Sequence, residues 1–201
     1  EKDVGRTSEA KAHLIETALE LIWNDSYHAV GVKEICEKAE VRPGSFYYFF
    51  PSKRDLALAA MEHHWRMART HILEPAFSAD VPPLQRIPKL FEGVYAFHAA
   101  RQKAGKPVSG CFFGCFVGEL GEQDNEIKAR LQSVLSGIGA YFEQALSDAQ
   151  KAGDLDLEES RISEAAQALL TYYQGLAILA RARNSAEVFR DLSPYAMKLV
   201  T

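Results

Sequence analysis

Apolar residues in this chain recur at the spacing of a helix and nowhere at the spacing of a strand, and no other feature limits its fold as strongly. Ile15, Ala18, Leu19 and Ile22 stand at i, i+3, i+4 and i+7, with Thr7 or Ser8 available as N-cap, which predicts a first helix over residues 8–24. Ile127, Leu131, Val134, Ile138, Tyr141, Ala145 and Ala149 mark a helix over 124–152 that ends at Gly153, a residue suited to the left-handed conformation beyond a helix. Further helices are expected over 84–103, 109–121, 158–183 and 186–200. The helix over 158–183 carries a narrow polar stripe (Glu164, Gln167, Thr171, Gln174) and is apolar around most of its remaining circumference, so it must be covered on several sides. No segment alternates with period two over enough residues to form a strand, and the expected fold is all-α.

Between the first helix and this C-terminal array, the pattern becomes short and punctuated. Asn24-Asp25-Ser26 is turn chemistry, Val32 to Lys38 allows only about two helical turns, and Glu40-Val41 interrupts before Pro43. Pro43 suits a first helical position, where its missing N–H would be unpaired anyway, and Gly44 and Ser45 keep that helix end slim enough to approach base edges. Phe46 and Phe50, four apart, are expected to pack inward, leaving Tyr47 and Tyr48 facing out. Ser52 with Asp55 three residues on forms a capping-box-like start to a longer helix toward Pro75. Pro75, Pro82 and Pro83 are expected to mark the joint with the rest of the chain. Two short helices around a tight turn, with a helix on either side, have the layout of a helix-turn-helix domain.

The residues from Ser8 to Leu58 also resemble a known family. Ala18-Leu19-Glu20-Leu21-Ile22, Val32-Lys33-Glu34-Ile35-Cys36, the run Val41 to Phe50 and Ser52-Lys53 follow one another as in the TetR/AcrR transcriptional regulators. The resemblance implies a three-helix DNA-binding domain over 1–55, with its motif at 31–50, joined by a fourth helix to a ligand-binding and dimerisation domain over 56–201. It also implies a homodimer that binds a palindromic double-stranded DNA operator and is released by a small-molecule effector. Carried over by position, Lys33 lies where the second helix touches DNA, and Arg42, Pro43, Gly44 and Ser45 lie where the recognition helix meets bases and nearby phosphates. Tyr47 and Lys53 match backbone-anchoring positions, and Tyr48 matches an aromatic position that contacts a thymine methyl or a phosphate. Two residues depart from the pattern: Phe49 replaces a phosphate-contacting His, and Glu40 stands where a turn Gly is common.

Charge does not assist this reading. The chain carries a net −4, and its first 55 residues hold two more carboxylates than Lys and Arg together, so DNA binding must rest on local geometry. Three cysteines without a repeated Cys-x-x-Cys indicate neither a disulfide framework nor a zinc cage. No cofactor or metal is expected. The longest apolar stretches fall far short of the roughly 20 residues that cross a bilayer, and Glu1-Lys2-Asp3 lacks the layout of a signal peptide, so a cytoplasmic protein without membrane contact is expected.

In the C-terminal part, Gly110, Gly114 and Gly118 recur every four residues and present a helix face without side chains. Such a face allows another backbone to come close or leaves a hollow beside the helix. The second alternative makes Cys111, Phe112, Cys115, Phe116, Glu119, Tyr141 and Tyr173 candidate pocket residues. Cys111 and Cys115 share a helix face, where they are either ordinary buried residues or sensors of oxidants. His63, His64 and His71 are expected at a hinge or on the surface, since His64 and His71 lie about 10 Å apart, too far to share one ion without other ligands. Arg101, Arg181 and Arg183 read as solvated charges near helix ends. The helix over 158–183, with Phe189, Leu192, Tyr195, Met197 and Leu199, is the candidate dimer surface. An enzyme is disfavoured by the lack of any P-loop, nucleophile–base pair or metal spacing. A helical ligand-binding or adaptor protein with weak or lost DNA binding is the alternative.

Overall fold

The computed structural model describes residues 2–120 and 124–200, with side chains from residue 9 onward, and every regular element among them is helical. The order is α1 (Lys2–Asn24), α2 (Val32–Lys38), α3 (Pro43–Phe49), α4 (Lys53–Ala68), α5 (Glu74–Ala76), α6 (Pro83–Lys103), α7 (Phe112–Leu120), α8 (Asn125–Ala152), α9 (Ile162–Arg183) and α10 (Glu187–Leu192). Helix α1 begins before the expected cap, so Thr7 and Ser8 lie within it.

Local chemistry accounts for most of the boundaries. Helix α3 starts on Pro43 and ends at Phe50, whose extended backbone suits the residue before Pro51. Ser52 caps α4 by accepting the Asp55 N–H at 3.2 Å. Helices α2, α8 and α9 all end in the same turn, in which a left-handed residue lets the next N–H reach back five residues. Those residues are Glu40, Gly153 and Asn184, and the bonds are Val41 N–H to Cys36 O, Asp154 N–H to Ala149 O, and Ser185 N–H to Ala180 O. Glycine and asparagine tolerate this conformation, whereas Glu40, at φ 56°, adopts it against its side chain.

Two prolines act differently from expectation. The chain stays helical through Pro75, because the turn before it, Arg69–Leu73, widens to a π-helix in which the Glu74 N–H reaches Arg69 O. Pro75 has no N–H to continue the α pattern, and the wider turn absorbs the loss. The real break lies beyond Phe77. Near the C-terminus, Pro194 interrupts the helix expected over 186–200, which becomes α10 followed by two 3₁₀ turns, Ser193–Tyr195 and Met197–Leu199. The helix expected over 109–121 begins only at Phe112, and residues 121–123 lie outside the described residues.

Buried apolar side chains form one continuous core from Leu14 and Phe46 in the N-terminal helices, through Phe112, to Phe142, Leu169 and Phe189. Helix α8 contributes Ile127, Leu131, Val134, Ile138, Phe142, Ala145 and Ala149 along one stripe and packs on α6, α7 and α9. Tyr141 lies off this stripe and meets Phe77 with ring centroids 5.1 Å apart.

Candidate DNA-binding surface and the cavity behind it

Helix α3 divides its aromatic residues between two environments. Phe46 and Phe50 are buried, whereas Tyr47 and Tyr48 are 61% and 77% exposed. Arg42, Pro43 and Gly44 are exposed and Ser45 is half-buried at the same end of the helix, and a Cβ built on Gly44 meets nothing within 4 Å. Lys33, on the preceding helix, is 88% exposed and pairs only with its neighbour Glu37. The positions assigned to DNA on α2 and α3 are thus exposed or half-buried, whereas Lys53 is engaged inside the protein. Its ammonium donates to Tyr27 O at 2.6 Å and Val30 O at 2.7 Å and lies 4.2 Å from the Tyr27 ring centroid. Lys53 therefore holds the loop before α2 onto the start of α4, and most of its donor capacity is spent inside the protein. Burial lowers its pKa, an effect that Glu119 partly offsets.

The N-terminal unit is tied to the C-terminal helices by polar contacts, most of them half-buried, that sequence patterning did not reveal. Arg101 grips Glu20 with two bonds of 2.9 Å, and its guanidinium lies 4.7 Å from the Trp23 ring centroid. Burial raises the Glu20 pKa, but hydrogen bonds from Arg101 and Asn24, with the charge of Lys106, outweigh it and bring the carboxyl down to about 2. Arg181 donates to Trp23 O, Asn24 O and Ser109 O, capping the C-terminal end of α1 where a cation is favoured. Arg54 holds Asp124, the N-cap of α8, and Glu126. Arg101 and Arg181 are therefore structural ties and not solvated charges; of the three arginines expected to be solvated, only Arg183 is exposed.

Between these ties lies an apolar cavity of about 360 Å³. It is walled by Trp23 of α1, His64 and Trp65 of α4, Leu90 and His98 of α6, and Phe113 of α7, among others. Of the pocket candidates, Cys111, Phe112 and Tyr173 line it. Cys115 and Glu119 instead line a separate surface groove between α7 and α9, and Glu119 accepts the His28 N–H at 3.3 Å. Phe116 is buried against Phe112 and Tyr27, and Tyr141 packs on Phe77; neither lines this cavity or the groove. The glycine face accounts for this division. A Cβ at Gly110 would lie 2.5 Å from Ala177 O and one at Gly114 would lie 3.0 Å from Gln174 Oε1, so the segment is pressed against α9 at those two positions, whereas a Cβ at Gly118 would meet nothing within 4 Å and the surface groove opens along the same side. The hollow is on the other side, under Phe112 and Phe113.

His64 also departs from expectation. It lies edge-on to Trp23 with ring centroids 4.8 Å apart and is held down to about 3, mainly by burial and then by the charges of His63, Arg101 and His98. His98, stacked on Phe189, is held to about 4 by burial and by Arg101, and its Nδ1 has no hydrogen-bond partner. Burial pushes both the Cys111 and Cys115 thiols up, and for Cys115 this outweighs an Arg181 Nη1 2.6 Å from Sγ. No group of His, Cys, Asp and Glu among the described residues could hold a metal ion, and no described helix is long and apolar enough to cross a membrane.

Known proteins share this arrangement. Residues 14–60 match the model for bacterial regulatory proteins of the TetR family, and residues 83–193 match the tetracyclin repressor-like C-terminal domain. The chain belongs to the TetR family and is a DNA-binding transcriptional regulator. It is 33% identical over 155 residues to the transcriptional regulator AcuR of Cereibacter sphaeroides, covering 74% of this chain and 66% of that one. It is 21% identical over 195 residues to the transcriptional repressor NemR of Escherichia coli K12, covering 96% and 94% of the two chains. The crystal structure of regulatory protein TetR from Rhodobacter sphaeroides superposes with a TM-score of 0.82 at 25% identity, over 96% of this chain and 99% of that one.

Proposed function

We propose that this regulator is a cytoplasmic homodimeric repressor that binds a palindromic operator and releases it when a small molecule enters the cavity. In this reading residues 1–55 read DNA, and residues 56–201 bind the effector and the second copy. One observation carries the proposal: the cavity is closed on one side by Trp23, a residue of α1, so its contents press on the DNA-binding unit itself. Ile178, Tyr195 and Leu199 are large apolar side chains left exposed on α9 and the two turns after α10, where a second copy would bury them. In the dimer the two α3 helices must lie about 34 to 36 Å apart to enter successive major grooves, and an effector acts by favouring another spacing. A coupling of about 1 to 3 kcal/mol changes operator affinity roughly 5- to 150-fold.

The test is a band-shift titration of the purified protein on the promoter region beside its own gene, at moderate salt. Specific retention that is weakened by Tyr47→Ala supports the reading. Retention equal to that of unrelated DNA at every salt concentration would refute it and favour the helical ligand-binding protein with lost DNA binding.

A further inference from the structure

The cavity restricts its occupant by chemistry as well as by position. No Asp, Glu, Lys or Arg lines it. The polar side chains in its wall are the Tyr173 hydroxyl, the Cys111 thiol, the indoles of Trp23 and Trp65, the imidazoles of His64 and His98, which burial keeps uncharged, and the exposed imidazole of His71. His98 is 3% exposed and its Nδ1 lacks a partner, so the wall holds a buried polar group that the protein leaves unsatisfied. The nearby cation, Arg101, is committed to Glu20 and lies over the face of Trp23. A carboxylate or ammonium buried in this space would lose its hydration and find no Lys, Arg, Asp or Glu in the wall to pair with, at a cost of several kcal/mol. An uncharged apolar surface gains about 25 cal/mol for each Å² removed from water.

Size narrows the class further. At about 360 Å³ the space is rather more than twice the roughly 150 Å³ apolar cavity that accepts benzene, which leaves room for on the order of 11 to 14 heavy atoms. We infer that the effector site, if the cavity is read as above, takes an uncharged and mainly apolar molecule the size of two or three fused rings. Trp23 of the DNA-binding unit forms part of the surface that this molecule touches.

The chain has two tryptophans, Trp23 and Trp65, and both line the cavity, so tryptophan emission reports on this space. The experiment uses the purified full chain without DNA and three compounds of one shape, transparent where tryptophan is excited: adamantanol, adamantanecarboxylate and adamantylammonium. In a Trp65→Phe variant, Trp23 is the only emitter. Adamantanol is expected to shift Trp23 emission saturably, and the two ions to bind about 100-fold more weakly or not at all. Ala68→Leu, which fills part of the space, is expected to weaken adamantanol about tenfold while keeping the helical circular dichroism. If that variant fails to fold, the three-compound series in the folded protein still decides.

Binding of either ion as tight as that of adamantanol would overturn the inference. So would saturable binding that leaves Trp23 emission unchanged, undiminished binding in folded Ala68→Leu, or no saturable binding of any of the three. A band shift on the same samples separates this from the repressor reading: adamantanol that binds without releasing operator sinks effector-controlled release and leaves the ligand class standing.

Discussion

The DNA-binding unit has two faces made of the same kinds of side chain in opposite surroundings. On the outer face, Tyr47, Tyr48 and Lys33 stand in water and touch little else. On the inner face, Trp23 is 3% exposed, Arg101 is stacked on it and doubly bonded to Glu20, and Arg181 caps the end of α1. An exposed aromatic or cation is free to bind DNA and contributes almost nothing to folding. The same groups once desolvated contribute a great deal, because each must keep its partner or bear the cost of an unmet charge or donor. Stability is thus concentrated on the inner face, and the residues proposed to read DNA lie on the outer, with the cavity on the side that stability depends on.

Acid is the strongest test of that division. Unfolded histidine titrates near 6.5, whereas burial holds His64 to about 3 and His98 to about 4. As pH falls below about 6.5 the unfolded chain takes up these protons first, so stability is complete above that value and is lost toward pH 4. The expected loss is up to about 1.4 kcal/mol per pH unit for each histidine, or on the order of 3 kcal/mol each over the window. Urea unfolding followed from about pH 7.5 down to about pH 5 checks this; a midpoint that does not move would mean that the inner face is not desolvated.

The next largest effect is expected from Arg101→Ala. Removing one partner of a fully buried pair costs about 3 to 5 kcal/mol, and because the Glu20 carboxylate keeps some contact with water, about 2 to 3 kcal/mol is expected. Thermal unfolding reads it directly, and pairing Arg101→Met with Glu20→Leu should restore part of the loss.

Tyr47→Ala is expected to reverse the pattern. Stability should stay within about 0.5 kcal/mol, while operator affinity falls about tenfold, the equivalent of one lost charge-assisted hydrogen bond. A variant that unfolds more readily but binds operator as before would exchange the roles of the two faces. The smallest effect concerns the turn between α2 and α3. Glu40→Gly relieves a left-handed conformation and is expected to stabilise by about 1 kcal/mol, whereas Glu40→Ala should give no gain.

The outer face was legible because its information is local. Pro43, Ser52 and the four-residue spacing of Phe46 and Phe50 determine where short helices begin and which side they bury, and these rules act within one or two turns. That Glu40 occupies a glycine position came instead from the family resemblance. The inner face was not legible, because its contacts join residues far apart in the chain. Nothing in the neighbourhood of Arg101 points to Glu20, and nothing near His64 points to Trp23. The glycine face of the segment 110–118 left two alternatives open, and both occur: Gly110 and Gly114 press on α9 beside an open groove, and the cavity lies under Phe112 and Phe113. Cys115, Phe116, Glu119 and Tyr141 were candidates from spacing alone, and the rotation of α7 and α8 about their axes turns them away from the cavity. The placement of both tryptophans in the cavity wall carried no sequence signal.

By itself, then, the sequence determined the all-helical class, the helix-turn-helix with its exposed tyrosines, and the family. Periodicity, capping and turn chemistry are properties of neighbouring residues and survive without knowledge of the rest. Only the tertiary structure decided where the hollow lies, that its wall includes α1 and no Asp, Glu, Lys or Arg, and that Arg101 and Arg181 are half-buried ties. Those outcomes depend on which side chains lose water together when distant helices meet, and that free energy belongs to the packed assembly and to no single segment of the chain.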